Sequence, residues 1–266
     1  MAFDIAGTTL NSRFFLGTAG YPSPLVLQQA IESAQSEVIT VGLKRQLADG
    51  AGKPVQNAQG QGFFEIIKQS GARLLPNTAG CYTAAEAVTL AQMAREVFET
   101  DWVKLEVIGD SYTLQPDPVE LVQAAGELVR LGFEVFPYCT DDLVTCHRLL
   151  DAGCRVLMPW GAPIGSGQGL VNTYALRTLR ERITDVPLII DAGIGSPKDA
   201  VQAMEMGFDA VLLNSAVSNA HDPALMADAF RLAIESGRKA YQAGIIAKQD
   251  LAVPTTPVTG RPFLLA

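Results

Sequence analysis

Histidine is nearly missing from this chain of 266 residues: only His147 and His221 occur. That leaves too few imidazoles for the usual His-based zinc sites. Cysteine is sparse as well. Cys81, Cys139, Cys146 and Cys154 form no CxxC pair and no disulfide framework, so a reducing compartment is expected. No apolar run approaches the ~20 residues of a membrane-crossing helix. The opening Met-Ala-Phe-Asp-Ile-Ala-Gly lacks the basic stretch followed by an apolar one that marks a signal peptide. The expectation is a cytoplasmic protein without membrane contact. Cations are outnumbered: 20 Lys and Arg against 28 Asp and Glu give a net charge of −8. Such a chain is a poor general nucleic-acid binder, although a local pocket for a small phosphate remains compatible with it. Apolar residues, by contrast, are plentiful. At 48% hydrophobic and 18% charged, the chain can bury a sizeable core, which excludes a disordered protein.

Short apolar runs alternate with amphipathic, Ala- and Glu-rich stretches. The runs are Phe14–Gly17, Glu37–Leu43, Arg73–Asn77, Trp102–Ile108, Glu134–Tyr138, Arg155–Pro159, Pro187–Asp191 and Ala210–Asn214. Eight such units in about 250 residues predict an α/β fold, a (β/α)8 TIM barrel forming a single domain. The domain is expected over residues 1–266, with 247–266 as a C-terminal tail. An open doubly wound sheet shares the alternation and stays open at this point. Gly71, Gly132, Gly153 and Gly207 sit where left-handed helix C-caps are wanted. Ser196-Pro197 and Asp222-Pro223 read as N-caps followed by Pro in the first turn. Ala48–Gly62 reads as a long loop after the second strand, with Lys44 and Arg45 before it.

In a barrel, chemistry gathers where the strands end. In Trp102-Val-Lys-Leu-Glu-Val-Ile108 the wholly apolar face is Val103, Leu105 and Val107, so Lys104 and Glu106 are expected to point inward. Desolvation would lower the lysine pKa and free its amine as a nucleophile. A structural Lys–Glu ion pair fits the same pattern. Asp191 ends the seventh strand as a candidate acid or base, and Gly193 and Gly195 leave backbone N–H groups for a phosphate. An ordinary tight turn fits these residues too. Asn214 and Ser215 end the eighth strand, and loops seven and eight form the common phosphate site of such barrels. Four glycines, at 161, 165, 167 and 169, mark close backbone approach in a loop shaped by Pro159 and Pro163. Asn77 and Thr78 lie at the rim of the third strand. Cys81 and Cys139 lie near strand ends but have no histidine there to activate them, so they read as inert. Trp160 is expected to pack or to wall a pocket.

Pro-Asn-Thr-Ala-Gly (76–80), Trp-Val-Lys-Leu-Glu-Val (102–107), Leu-Gln-Pro-Asp-Pro (114–118), Gly-Ala-Pro-Ile-Gly-Ser-Gly-Gln-Gly (161–169), Asp-Ala-Gly-Ile-Gly (191–195) and Met-Gly-Phe-Asp-Ala-Val-Leu-Leu-Asn (206–214) occur in this order. Together they resemble the thiazole synthases of bacterial thiamine biosynthesis, from about Phe14 to Tyr241. The resemblance implies a (β/α)8 barrel that condenses 1-deoxy-D-xylulose 5-phosphate, dehydroglycine (2-iminoacetate) and sulfur into a thiazole phosphate carboxylate. The sulfur arrives as a C-terminal thiocarboxylate on a small ubiquitin-like sulfur-carrier protein. By motif, Lys104 corresponds to the imine-forming lysine, and Glu106 and Asp191 to proton-moving carboxylates. Gly165, Ala192, Gly193, Asn214 and Ser215 correspond to sugar-phosphate contacts. No metal or organic cofactor is implied, and a homo-oligomer, dimer or tetramer, is. The stretch Val41–Gln46 departs from the family form, and the tail Pro254–Arg261 loosely resembles a family C-terminal motif that would cover the site entrance. Three other readings fit the strand ends: a class I aldolase that needs no sulfur carrier, an idle barrel that only binds a phosphorylated metabolite or a partner protein, and a flavin-binding barrel.

Overall fold

The computed structural model describes residues 2–43 and 65–254. Lys44, Arg45, the loop expected over Ala48–Gly62 and the tail beyond Pro254 lie outside the described residues. The chain starts with an antiparallel hairpin, β1 (Phe3–Ile5) and β2 (Thr8–Leu10). Then come β3 (Phe14–Gly17), α1 (Pro24–Ala34), β4 (Val38–Gly42), helical residues 65–70, β5 (Arg73–Asn77), α2 (Ala84–Phe98) and β6 (Trp102–Leu105). A second hairpin, β7 (Ile108–Asp110) and β8 (Gln115–Pro116), precedes α3 (Pro118–Arg130). The remainder is β9 (Glu134–Cys139), α4 (Leu143–Asp151), β10 (Met158–Pro159), α5 (Thr173–Arg182), β11 (Ile189–Asp191), α6 (Pro197–Glu205), β12 (Ala210–Leu213), α7 (Ser215–Ser218) and α8 (Pro223–Ala243).

Eight strands form one parallel sheet in the order β10-β9-β6-β5-β4-β3-β12-β11. Its two ends meet through parallel bridges Leu157–Leu188 and Trp160–Asp191, with Ile189 N–H donating to the Leu157 carbonyl at 2.9 Å. The sheet is therefore a closed barrel, not an open doubly wound one. Alternation assigns the two faces. Leu16, Ile39, Val103, Leu105, Val135 and Val211 pack outward against the helices. Phe15, Val38, Leu75, Trp102, Phe136, Met158 and Ile189 pack inward. The expected left-handed caps are present, with φ of +66° at Gly71, +84° at Gly132, +100° at Gly153 and +88° at Gly207. Asp222 caps α8 by accepting from Leu225 N–H at 3.0 Å.

Two elements depart from the expected pattern. The fourth barrel strand stops at Leu105 rather than running to Ile108. The Thr78 hydroxyl accepts from Glu106 N–H at 2.7 Å and donates to the Glu106 carbonyl at 2.8 Å, so a side chain replaces the ladder there. Freed from the sheet, the chain turns into the β7–β8 hairpin, and Asp117 caps α3 by accepting from Val119 and Glu120 N–H. The other departure is the first hairpin. Its Ile5 and Leu10 join the inward-facing cluster, where the Trp102 and Phe136 rings lie 4.8 Å apart. Arg73 donates to Thr8 and Arg13 stacks on Phe3, so the hairpin sits against the strand starts and seals that end of the barrel.

Ile5 is 1% exposed, so Ile5→Ala removes packing from this seal. The expected loss is about 2–5 kcal/mol of unfolding free energy, read as a lower urea midpoint with unchanged slope.

Candidate active site

Lys104, on the inward face of β6, and Asp191, at the tip of β11, meet across the barrel. Lys104 Nζ lies 2.7 Å from Asp191 Oδ2 and 3.2 Å from Glu106 Oε1. All three residues are buried: Lys104 is 6% exposed, Glu106 4% and Asp191 1%. One cation therefore serves two carboxylates away from water, and the group carries a net −1. Burial pushes the Asp191 carboxyl up; the Lys104 charge opposes this, Glu106 adds to it, and the result is about 6. The expected lowering of the lysine pKa is corrected here. Burial does depress Lys104, but the charges and hydrogen bonds of Asp191 and Glu106 outweigh it and hold the amine above its ordinary value. The resting lysine is an ammonium ion. Of the two sequence readings, nucleophile and ion pair, the ion pair is present, and it borders open space.

That space is a cavity of about 380 Å³. Lys104, Glu106, Asp191, Gly165, Ala192, Gly193, Asn214 and Ser215 all line it, so every candidate site residue is gathered at one place. Asn77, from the third barrel strand, joins them, whereas Thr78 is buried and bonded to the Glu106 backbone. The pattern reading missed Tyr138. Its ring lies inside the barrel, with Lys104 Nζ 5.6 Å from the centroid. Burial first, and the Asp191 and Glu106 charges after it, raise its phenol, so it stays protonated. A polar residue late on the inward face of a strand was the available signal.

The loops after β10, β11 and β12 close one side of the cavity. Ala192 adopts φ +68° and Gly193 φ +80°. A left-handed alanine is strained by roughly 1–2 kcal/mol, which the surrounding contacts sustain. Gly161 N–H donates to the Ala192 carbonyl at 3.2 Å and Gly169 N–H to the Gly193 carbonyl at 2.8 Å. A Cβ on Gly193 would stand 2.3 Å from Ala162 N, and one on Gly195 2.2 Å from Gly167 O. Much of the glycine content of the 161–169 loop thus lets two loops lie on each other. The expectation that Gly195 offers a free N–H is corrected: it donates to Asp199 Oδ2 at 3.1 Å, as Ser196 N–H does at 2.9 Å. Among the described residues no acceptor takes the N–H of Gly193, Ser215 or Ala216. The last two open α7, a short extra helix after the eighth barrel strand, where barrels of this class hold phosphate. Asn214 Nδ2 donates to the Ala19 carbonyl at 2.9 Å, while its Oδ1 is buried without a partner among the described residues. Gly17 makes room for it, since a Cβ there would sit 2.5 Å from Asn214 Cβ.

The cysteines stay out of this chemistry. All four are buried; Cys139 and Cys146 sulfurs lie 3.8 Å apart, and burial lifts the Cys154 thiol to about 12. Trp160 Nε1 donates to Asp141 at 3.0 Å and does not border the cavity.

Comparison with known proteins matches residues 4–257 to the family described as "Thiazole biosynthesis protein ThiG". The chain is 58% identical over 257 residues to a thiazole synthase of Neisseria meningitidis, covering 97% of this chain and 96% of that one. It is 57% identical over 261 residues to a thiazole synthase of Coxiella burnetii, covering 98% of each. Among solved structures, the Amycolatopsis orientalis BexX/CysO complex superposes with a TM-score of 0.80 at 28% identity, covering 93% of this chain and 98% of that one. The 3-hexulose-6-phosphate synthase of Salmonella typhimurium, at 18% identity and TM-score 0.56, shares the fold.

Gly193→Ala forces the 161–169 loop off the 192–195 loop, because the Ala162 backbone cannot yield by the distance required. A phosphorylated ligand of the cavity is expected to bind at least tenfold more weakly to this variant in calorimetry, with the far-UV circular dichroism of the barrel retained.

Proposed function

This chain belongs to the ThiG family, the thiazole synthases of thiamine biosynthesis, and on that premise we propose that it builds the thiazole through an imine on Lys104. The substrates are 1-deoxy-D-xylulose 5-phosphate, dehydroglycine (2-iminoacetate) and sulfur delivered as the C-terminal thiocarboxylate of a small ubiquitin-like carrier protein. The product is a thiazole phosphate carboxylate. One observation carries this reading: a primary amine held 2.7 Å and 3.2 Å from two carboxylates, in a cavity whose side offers unpaired backbone N–H groups.

The resting ammonium must lose a proton before it can attack a ketone. Asp191, in contact with Nζ and with a carboxyl pushed up to about 6, is the group suited to take it. The neutral amine adds to the C2 carbonyl, and loss of water leaves an iminium. The iminium draws electrons from the neighbouring C–H bond and makes it acidic. Glu106, also beside Nζ, or Asp191 then carries that proton through an Amadori-type shift, which moves the ketone along the chain. The carrier's thiocarboxylate adds its sulfur to the new ketone, its acyl C–S bond breaks as the carrier leaves as a carboxylate with the former ketone oxygen, and capture of dehydroglycine, whose nitrogen displaces the Lys104 amine, closes the ring with loss of water. Gly165, Ala192, Gly193, Asn214 and Ser215 hold the sugar phosphate in this scheme, with the first turn of α7 directing its dipole at the anion. The scheme calls on no metal or organic cofactor. The relative solved with CysO supports a protein partner at this fold. We place the enzyme in the cytoplasm; among the described residues no helix is long and apolar enough to cross a membrane. A dimer or tetramer is the assembly we assign.

Borohydride added with 1-deoxy-D-xylulose 5-phosphate is expected to trap a reduced adduct on the peptide holding Lys104, absent from Lys104→Ala. An adduct that survives in Lys104→Ala would overturn the assignment. The trapping rate should fall as pH drops through about 6, because a protonated Asp191 cannot accept the ammonium proton. Asp191→Asn should lose that acid limb and slow trapping by about 10²–10⁴-fold.

A further inference from the structure

A second cavity of about 380 Å³ lies outside the barrel, between the start of β3 and α8, away from the Lys104 site. Arg13, Arg231, Arg238 and Lys239 line it, with Glu37 and Glu235. Asp228 stands behind Arg231, Asp209 lies 4.0 Å from Arg13 and Glu235 faces Lys239, so among the described residues Arg238 is the lining cation without a carboxylate partner. Both lining carboxylates are already engaged. Glu37 accepts from the backbone N–H of Asn11 and Ser12, and Glu235 pairs with Arg231 at 3.0 Å and Lys239 at 4.0 Å.

The guanidinium groups are not satisfied to the same degree. Arg13, 6% exposed, donates through Nη1 to the Asp209 carbonyl, and its Nε is buried without a partner. Arg231 spends both Nη atoms on Asp228 and Glu235, and its Nε is likewise unpaired. Arg238 has Nε and Nη1 both buried and unpaired, while its plane lies 5.1 Å over the Tyr241 ring. Four buried guanidinium nitrogens therefore have no acceptor among the described residues, and they come from three side chains around one cavity. Burial and the Arg238 charge together bring the Arg13 guanidinium down to about 10, against the opposing pull of Asp209. Like charges brought together with their donors unmet are costly. An acceptor carrying negative charge and several oxygens removes both costs together.

We propose that Arg13, Arg231, Arg238 and Lys239 form a binding site for a small oxyanion of the phosphate class, separate from the catalytic cavity. Free phosphate and a phosphorylated metabolite present the same tetrahedral oxygens to it.

The test titrates inorganic phosphate into the full chain by calorimetry, and soaks crystals of it with selenate for anomalous diffraction. Wild type is expected to bind phosphate with a component that Arg238→Gln weakens tenfold or more, through the loss of charge-assisted bonds. Selenate should give an anomalous peak between Arg13 and Arg238. Melting of Arg238→Gln in phosphate-free buffer reports its folding; if it does not fold, the selenate peak in wild type and its loss in Lys239→Gln decide. Phosphate binding unchanged in Arg238→Gln, or selenate in the catalytic cavity alone, overturns the proposal. So does an oligomer that Arg238→Gln dissociates without any effect on phosphate binding, because the guanidinium groups would then hold a carboxylate of a second copy. A phosphorylated metabolite that displaces phosphate at this cavity more tightly than phosphate binds would identify the larger ligand.

Discussion

A single ammonium ion shared by two buried carboxylates is what the rest of the molecule is arranged around. Lys104, Glu106 and Asp191 carry a net −1 in the barrel interior, where isolated charges cost several kcal/mol each. Such a group persists only if its geometry is held fixed. The register of β6 against β5 and β9 sets Lys104 opposite Asn77 and Phe136. The closing bridge from Trp160 to Asp191 sets the other partner. Below them the Trp102–Phe136 pair and the N-terminal hairpin keep water out of the strand starts. The same exclusion of water that makes the ion group costly also strengthens each interaction within it.

Protonation follows from that arrangement. An interior lysine taken alone would lose its charge; with two carboxylates in contact it keeps it. The protonation balance therefore lies in the pair rather than in the lysine. Asp191 is raised to about 6, and a shift of one proton across 2.7 Å separates the resting ion pair from a neutral amine. The Tyr138 ring and the cavity both border the amine.

The glycine-rich loops solve a separate problem. Ala192 and Gly193 both turn through left-handed conformations directly after Asp191, which lifts the backbone away from the strand and over the cavity. The 161–169 loop holds this turn in place through two backbone hydrogen bonds and contacts that admit no Cβ. Asp199 absorbs the N–H groups at the start of α6, and α7 leaves its first two unpaired. Among the described residues, the backbone N–H groups left free at this rim are therefore those of Gly193 and the start of α7, not those before α6.

The strand and helix alternation, the inward face of the fourth barrel strand, the glycine caps and the gathering of candidate residues at strand ends were legible in the sequence. Each depends on the local period of side chains, or on the φ angle of one residue. The break at Glu106 was not, because the Thr78 hydroxyl that causes it comes from the neighbouring strand. Nor was the hairpin seal, whose three-residue strands are too short to show a period. Barrel closure, the contact of Lys104 with Asp191 and the charge state of both were decided by tertiary structure alone. They depend on distances between segments remote in the chain, and Coulomb energy in a dry interior is a function of those distances, not of residue order.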